Sequence, residues 1–232
     1  MFRQLLAAWR KKDPLKEMYE SLIGMIEAGK WMFEVAWGAA IEGKVRPELK
    51  ESIYRRDIEV NRTERRIRRQ IVEHLSVQPG VDVPACLVLM SVVKDAERVG
   101  DYCKNILDAS GLQGRSIAEC DRYEAVSGLA KDICTMFDKT ARALAKSDET
   151  LGHEVILEER DVGASCDVFI EGMAKSDLPA SVAVPWALLV RYLKRVSAHL
   201  GNMASSLVMP LHKLDYFDEK HLPGRHDDDR DD

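Results

Sequence analysis

Glu97 and Asp101 stand four residues apart in the stretch Lys94 to Ile106, inside a long run of helical character. On a helix that spacing sends both carboxylates out of one face, one turn apart. Two like charges so placed repel unless a cation lies between them. The pair is therefore either a solvated coincidence or a cation site.

The helices that must position this pair are legible from apolar spacing. The first runs from Pro14 to Glu42, with Met18, Leu22, Met25, Ile26, Met32, Phe33 and Trp37 at helical intervals. Asp13 reads as its N-cap, Pro14 as its first residue and Gly43 as its stop. Pro47 opens a second helix to about Ser76, striped by Ile53, Val60, Ile67 and Ile71. Asp57 and Glu64 fall on that stripe. A carboxylate facing a core requires an arginine, a metal ion or water, because burying it unpaired is costly. Arg55, Arg56, Arg62, Arg65, Arg66, Arg68 and Arg69 are all near. Interleaved acids make that run a solvated face, or a docking face for an acidic partner, in preference to a nucleic-acid patch.

Gln78-Pro79-Gly80 breaks the chain, and a third helix follows from about Val83 to Ser110, stopped at Gly111. Its stripe narrows to Ala96, Val99, Cys103 and Ile106. Glu97 and Asp101 point roughly 120° or more from that stripe's centre. They continue a minor apolar strip through Cys86, Met90 and Val93, which predicts a shallow site at the edge between helices. Three more helices are expected. One spans about Ser116 to Lys146. The next starts at Ser147-Asp148 and reaches about Lys175. The last is opened by Asp177-Leu178-Pro179, kinked or delayed at Pro185, and ends near Met209. No stretch carries a strand signal.

Of the 232 residues, 46% are hydrophobic and 31% charged, which suits a soluble, helix-rich chain. The net charge of −5 argues against a general nucleic-acid binder. No apolar run reaches the ~18 residues a transmembrane helix needs, and Met1 to Lys12 lacks a signal-peptide core. The expected location is the cytoplasm. Cys86, Cys103, Cys120, Cys134 and Cys166 are scattered too widely for a zinc knuckle, so reduced thiols are expected.

Glu97-Arg98-Val99-Gly100-Asp101-Tyr102, followed by Asn105-Ile106, resembles the signature of the PhoU family, helical regulators of bacterial and archaeal phosphate uptake. A second family pattern, an acid followed four residues on by Asp or Asn, is matched by Asp57 and Asn61 one helix earlier. The resemblance covers roughly residues 14 to 210. It implies an all-α fold of two repeated antiparallel three-helix bundles, six long helices in all. It also implies acidic motifs that hold metal ions, in some members as multinuclear clusters. The candidate ligands so implied are Asp57, Asn61, Glu97 and Asp101, with Arg98 and Asn105 in support. Oxygen ligands suit magnesium, calcium, manganese or iron about equally, and zinc is a further candidate. The partners implied are a phosphate transporter and a sensor kinase, and a homodimer is implied by resemblance alone.

An internal repeat sets the architecture. Residues 191–203 align with 94–106 at an offset of 97. Arg98 and Val99 return as Arg195 and Val196, Tyr102 as His199, and Asn105 as Asn202. The acids do not return: Glu97 becomes Lys194 and Asp101 becomes Ala198. The chain thus divides into a segment 1–13, a three-helix unit 14–112, a second unit 113–210 and a tail 211–232 with a disordered acidic end. Lys194 stands where a ligand would be, so at most one metal site is expected, in the first repeat. Glu158, Glu159 and Asp161 remain to pair with Lys194 and Arg195. His199 is expected as a packed or capping histidine.

The reading these features favour is a regulator without enzymatic activity, acting by protein contact and with a possible metal on its acidic motifs. A helical-bundle metalloenzyme with di-metal carboxylate redox or hydrolytic chemistry is the alternative, but it requires inward Glu-x-x-His pairs that are missing here. There is also no nucleophile–base arrangement and no glycine-rich phosphate loop. A metal-free helical adaptor is the third possibility.

Overall fold

The computed structural model describes residues 14–113, 116–119 and 121–214. The N-terminal patch, the cap at Asp13, Cys120 and the acidic tail end lie outside the described residues. Six long helices carry the fold: α1 (Pro14–Glu42), α2 (Pro47–Val77), α3 (Val83–Gln113), α4 (Tyr123–Lys146), α5 (Glu149–Ala174) and α6 (Ala180–Ser205). Short 3-10 turns stand at Ile117–Glu119 and Leu211–Lys213. Among the described residues there is no strand. The architecture is all-α, two three-helix units in succession, as the repeat implies.

Local chemistry accounts for three of the helix ends. Gly43 takes φ 65°, the left-handed conformation that terminates α1. Pro47 occupies the start of α2, where its missing N–H is not needed. Asp148 caps α5, its Oδ1 accepting from the Leu151 backbone N–H at 3.0 Å.

Three boundaries differ from the sequence expectation. α3 passes through Gly111 to Gln113, because a glycine weakens a helix without ending it unless it adopts positive φ, and Gly111 does not. α4 begins at Tyr123; the residues before it form the 3-10 turn, fastened where the Ser116 hydroxyl donates to the Ile41 carbonyl and Ile117 is buried. α6 holds Pro185 inside its second turn and stops at Ser205, with a turn leading to Pro210. A proline so near the start removes one hydrogen bond from a helix that packing sustains.

One apolar core draws side chains from all six helices. α1, α2 and α3 pack on one another, as do α4, α5 and α6. The units are joined by α3 against α6 and by α1 against α4, where Phe33 and Phe137 meet with ring centroids 5.7 Å apart. α1 and α3 approach closely at Gly29, where a Cβ would lie 3.0 Å from Val99 Cγ1. Cys86, Cys103 and Cys166 are buried free thiols and Cys134 is half-buried. Burial pushes the Cys166 thiol up to about 12. α2 lies alongside α3, which brings Asp57 and Asn61 opposite the stretch Glu97 to Lys104.

Candidate functional site

Asp57 sits on the buried stripe of α2 and is only 5% exposed. Its Oδ2 accepts from Lys104 Nζ of α3 at 2.8 Å and from Asn61 Nδ2 at 3.3 Å. The same ammonium lies 2.9 Å from Asp101 Oδ1. One lysine therefore bridges a carboxylate from each helix. Arg98 completes the edge: its Nη1 donates to Asp101 Oδ2 at 3.3 Å and its Nε lies 3.8 Å from Glu97 Oε2. Glu64, the other acid on the α2 stripe, pairs with Arg68 at 2.8 Å.

The partner of Asp57 corrects the sequence expectation. An arginine, a metal or water was expected, and the structure supplies a lysine from the neighbouring helix. Lys104 stands three residues beyond Asp101, so both leave one face of α3. That local spacing was visible in the sequence; the crossing that carries the ammonium to Asp57 was not. Asn105, half-buried, is the next residue and takes no part in these hydrogen bonds.

Burial of the lysine by itself would pull its pKa down, but the hydrogen bonds and charges of Asp57 and Asp101 outweigh it, and the pKa is raised. The Glu97 carboxyl is pushed up, first by burial and then by the negative charges of Asp101, Glu64 and Asp57, with Arg98 acting against them. Gly100 lets α2 close on α3: a Cβ there would stand 3.3 Å from Asp57 Oδ1 and 3.6 Å from Met32 Cε. Asp57 Oδ1 and Asn61 Oδ1 are buried without a hydrogen-bond partner.

The structure thus gathers Asp57, Asn61 and Asp101 around Lys104, with Glu97 beside Asp101 under Arg98. Glu97 and Asp101 are partly exposed, as expected of a shallow edge site. Among the described residues no group of three or more His, Cys, Asp or Glu is arranged to hold a metal ion. With the ammonium at the point of convergence, the donor set does not fit a metal as it stands.

The second repeat also places a lysine between α5 and α6. Lys194 Nζ is 2.6 Å from both oxygens of Asp167, an acid outside the expected set. Glu158 instead pairs with Lys139, and Arg195 Nε donates to the Tyr102 hydroxyl at 3.2 Å. Buried Glu159 and Lys194 both border Gly163, where a Cβ would lie 3.5 Å from Glu159 Oε1 and 3.7 Å from Lys194 Cε.

A second polar cluster, unforeseen from the sequence, fastens the units together. Asp95 of α3 is fully buried and its Oδ1 accepts from His199 Nδ1 at 2.7 Å and Asn202 Nδ2 at 3.1 Å, both on α6. A carboxylate only accepts, so Nδ1 carries the proton. The His199 ring stacks on Tyr102 at 5.5 Å between centroids. His199 and Asn202 are the repeat counterparts of Tyr102 and Asn105, and that correspondence was the available signal.

Residues 15–109 match the family model described as the PhoU domain. The chain is 24% identical over 204 residues to the phosphate-specific transport system accessory protein PhoU homolog of Synechocystis sp., covering 83% of this chain and 87% of the relative. Its fold matches the crystal structure of PhoU from Pseudomonas aeruginosa with a TM-score of 0.75 at 20% identity, over 86% of this chain and 97% of that one. It likewise matches the phosphate transport system regulatory protein PhoU from Streptococcus pneumoniae, with a TM-score of 0.73 at 18% identity over 90% and 98%. The signature residues of α2 and α3 lie inside the matched residues 15–109, and the fold of the chain is that of the PhoU structures.

Proposed function

We propose that this chain is a non-enzymatic regulator of phosphate transport and phosphate-responsive signalling that works by protein contact. The observation that carries the reading is the α2–α3 cluster: the family's signature acids stand at a half-open edge, Asp57 buried and Glu97 and Asp101 partly exposed, charge-compensated and in a form suited to contact and not to enclosing a substrate. The name of the Synechocystis relative, an accessory protein of phosphate-specific transport, supports the same role. The partners proposed are a phosphate transporter and a sensor kinase, met at the cytoplasmic side. No helix among the described residues is long and apolar enough to cross a membrane. A homodimer belongs to the same proposal.

Deleting the gene should raise phosphate uptake and phosphate-starvation reporter output in phosphate-replete cells, and the wild-type chain should restore both. Unchanged uptake and reporter output in the deletion strain would sink the regulatory reading. Glu97→Ala/Asp101→Ala in the same strain tests whether the cluster is the contact: a folded variant that fails to restore repression places it there.

The finer question is whether Asp57, Asn61, Glu97 and Asp101 hold a metal ion, as the family resemblance implies, or only the ammonium of Lys104. The two buried oxygens without partners favour a metal, and the bridging ammonium opposes it. Elemental analysis of untagged protein, purified without chelator, decides. Iron, manganese or zinc lost in Glu97→Ala/Asp101→Ala makes this a metal site, and no metal in either protein makes it an ion-paired contact surface.

A further inference from the structure

The α2–α3 cluster departs from the metal site implied by family resemblance, and Lys104 is the departure. Asp57 is an ionisable group with little access to water, and a buried carboxylate needs hydrogen-bond donors or an opposite charge. Lys104 Nζ is the cation it meets, at 2.8 Å, and the same nitrogen reaches Asp101 at 2.9 Å. The ammonium is held from a third side by the Tyr54 ring, 5.8 Å from its centroid. The lysine side chain is 18% exposed, so it is seated between the helices and does not wave in solvent. Independently, Asp57 Oδ1 and Asn61 Oδ1 are buried acceptors with nothing to accept from. They belong to the residues that converge on Lys104 and leave the site short of donors, the condition in which oxygen ligands take a hard cation.

We infer that Lys104 is the resident cation of this site, and that its ammonium and a divalent metal exclude one another there. An ion bound to Asp57 and Asp101 at oxygen-ligand distances of roughly 2–2.5 Å would lie within a few ångströms of Nζ. Two cations that close, with partly buried walls, repel strongly. Lys104 in the first repeat then does what Lys194 does in the second: it supplies as a side chain the positive charge that a metal ion would bring. The inference rests on reading the acids as a cation site, and it stands or falls independently of the phosphate-regulatory role.

The test is Mn²⁺ titration of the full chain by calorimetry and by the paramagnetic signal of free Mn²⁺. Four proteins are compared: wild type, Lys104→Gln, Lys104→Met and Lys104→Gln/Asp57→Asn. Glutamine keeps donors for both carboxylates while removing the charge, so it carries the test if the methionine variant does not fold. Lys104→Gln should bind Mn²⁺ at least tenfold more tightly than wild type, and Mn²⁺ should raise its melting temperature while leaving that of wild type unmoved. Adding Asp57→Asn should abolish the gain. Equal affinity in wild type and Lys104→Gln overturns the inference, as does an absence of binding in both. A tight metal in wild type that survives unchanged in the lysine variants overturns it as well.

Discussion

At the scale of single residues, the site is a problem in placing charge where water is scarce. Glu97 and Lys104 are both shifted upward, with opposite consequences for stability. The folded pKa of Glu97 lies above its unfolded value, so the folded chain holds that proton more readily. Stability from this group is lost as pH rises through the unfolded pKa toward the folded one. Glu97→Gln removes the cost. We expect its Tm at pH 7 to exceed wild type by about 1–3 °C, with the advantage vanishing below about pH 4. Thermal melts across pH 3.5–8 check this, and a variant less stable at neutral pH would mean that the Arg98 contact outweighs burial. For Lys104 the raised folded pKa works the other way: its contribution is full below the unfolded value of 10.5 and is lost only as pH climbs through the folded one. At neutral pH the Lys104 ammonium is therefore fully charged.

At the scale of helices, the α3–α6 contact shows how the repeat joins itself. Asp95 is sealed between them with His199 and Asn202 as its hydrogen-bond donors. Removing one partner of such a pair leaves a charge in the core, whereas removing both leaves far less to satisfy. His199→Ala should cost about 3–5 kcal/mol. Asp95→Asn/His199→Ala should lose less than the two single changes added together. Urea denaturation of the four proteins measures the coupling, and strict additivity would show that the pair contributes nothing beyond packing. Close packing adds to the fastening of the elements, since α1 reaches α3 at Gly29 and α2 reaches α3 at Gly100.

At the scale of the whole molecule, two sequence repeats share one apolar core. Each repeat has the helices of a small bundle, but a single core crosses the boundary, with α3 on α6 and α1 on α4. A chain built so should unfold in one step. Far-UV ellipticity and tryptophan fluorescence should follow superimposable urea transitions. Trp31 and Trp37 report on α1 and Trp186 on α6. Two separated transitions would mean that each repeat keeps a private core. The α2–α3 edge and the α3–α6 seam that joins the halves share α3, so the two lie side by side in the fold.

The sequence by itself determined the helices, the repeat, the resemblance of residues 15–109 to the PhoU domain and the identity of the acids. Apolar residues at three- and four-residue intervals, Pro47, Gly43 and Asp148 at helix ends, and the offset between Tyr102 and His199 are all local or periodic facts, which a linear chain displays openly. Where local cues compete with packing, the boundaries slipped: Gly111 stays helical and the start of α4 gives way to a turn anchored on Ile41. Only the tertiary structure decided what the acids meet. Lys104 reaches Asp57 across 47 positions of sequence and His199 reaches Asp95 across 104, and such pairings follow from how α2 and α6 lie on α3. Charge partners are set by distance in space, and a sequence records distance only along the chain.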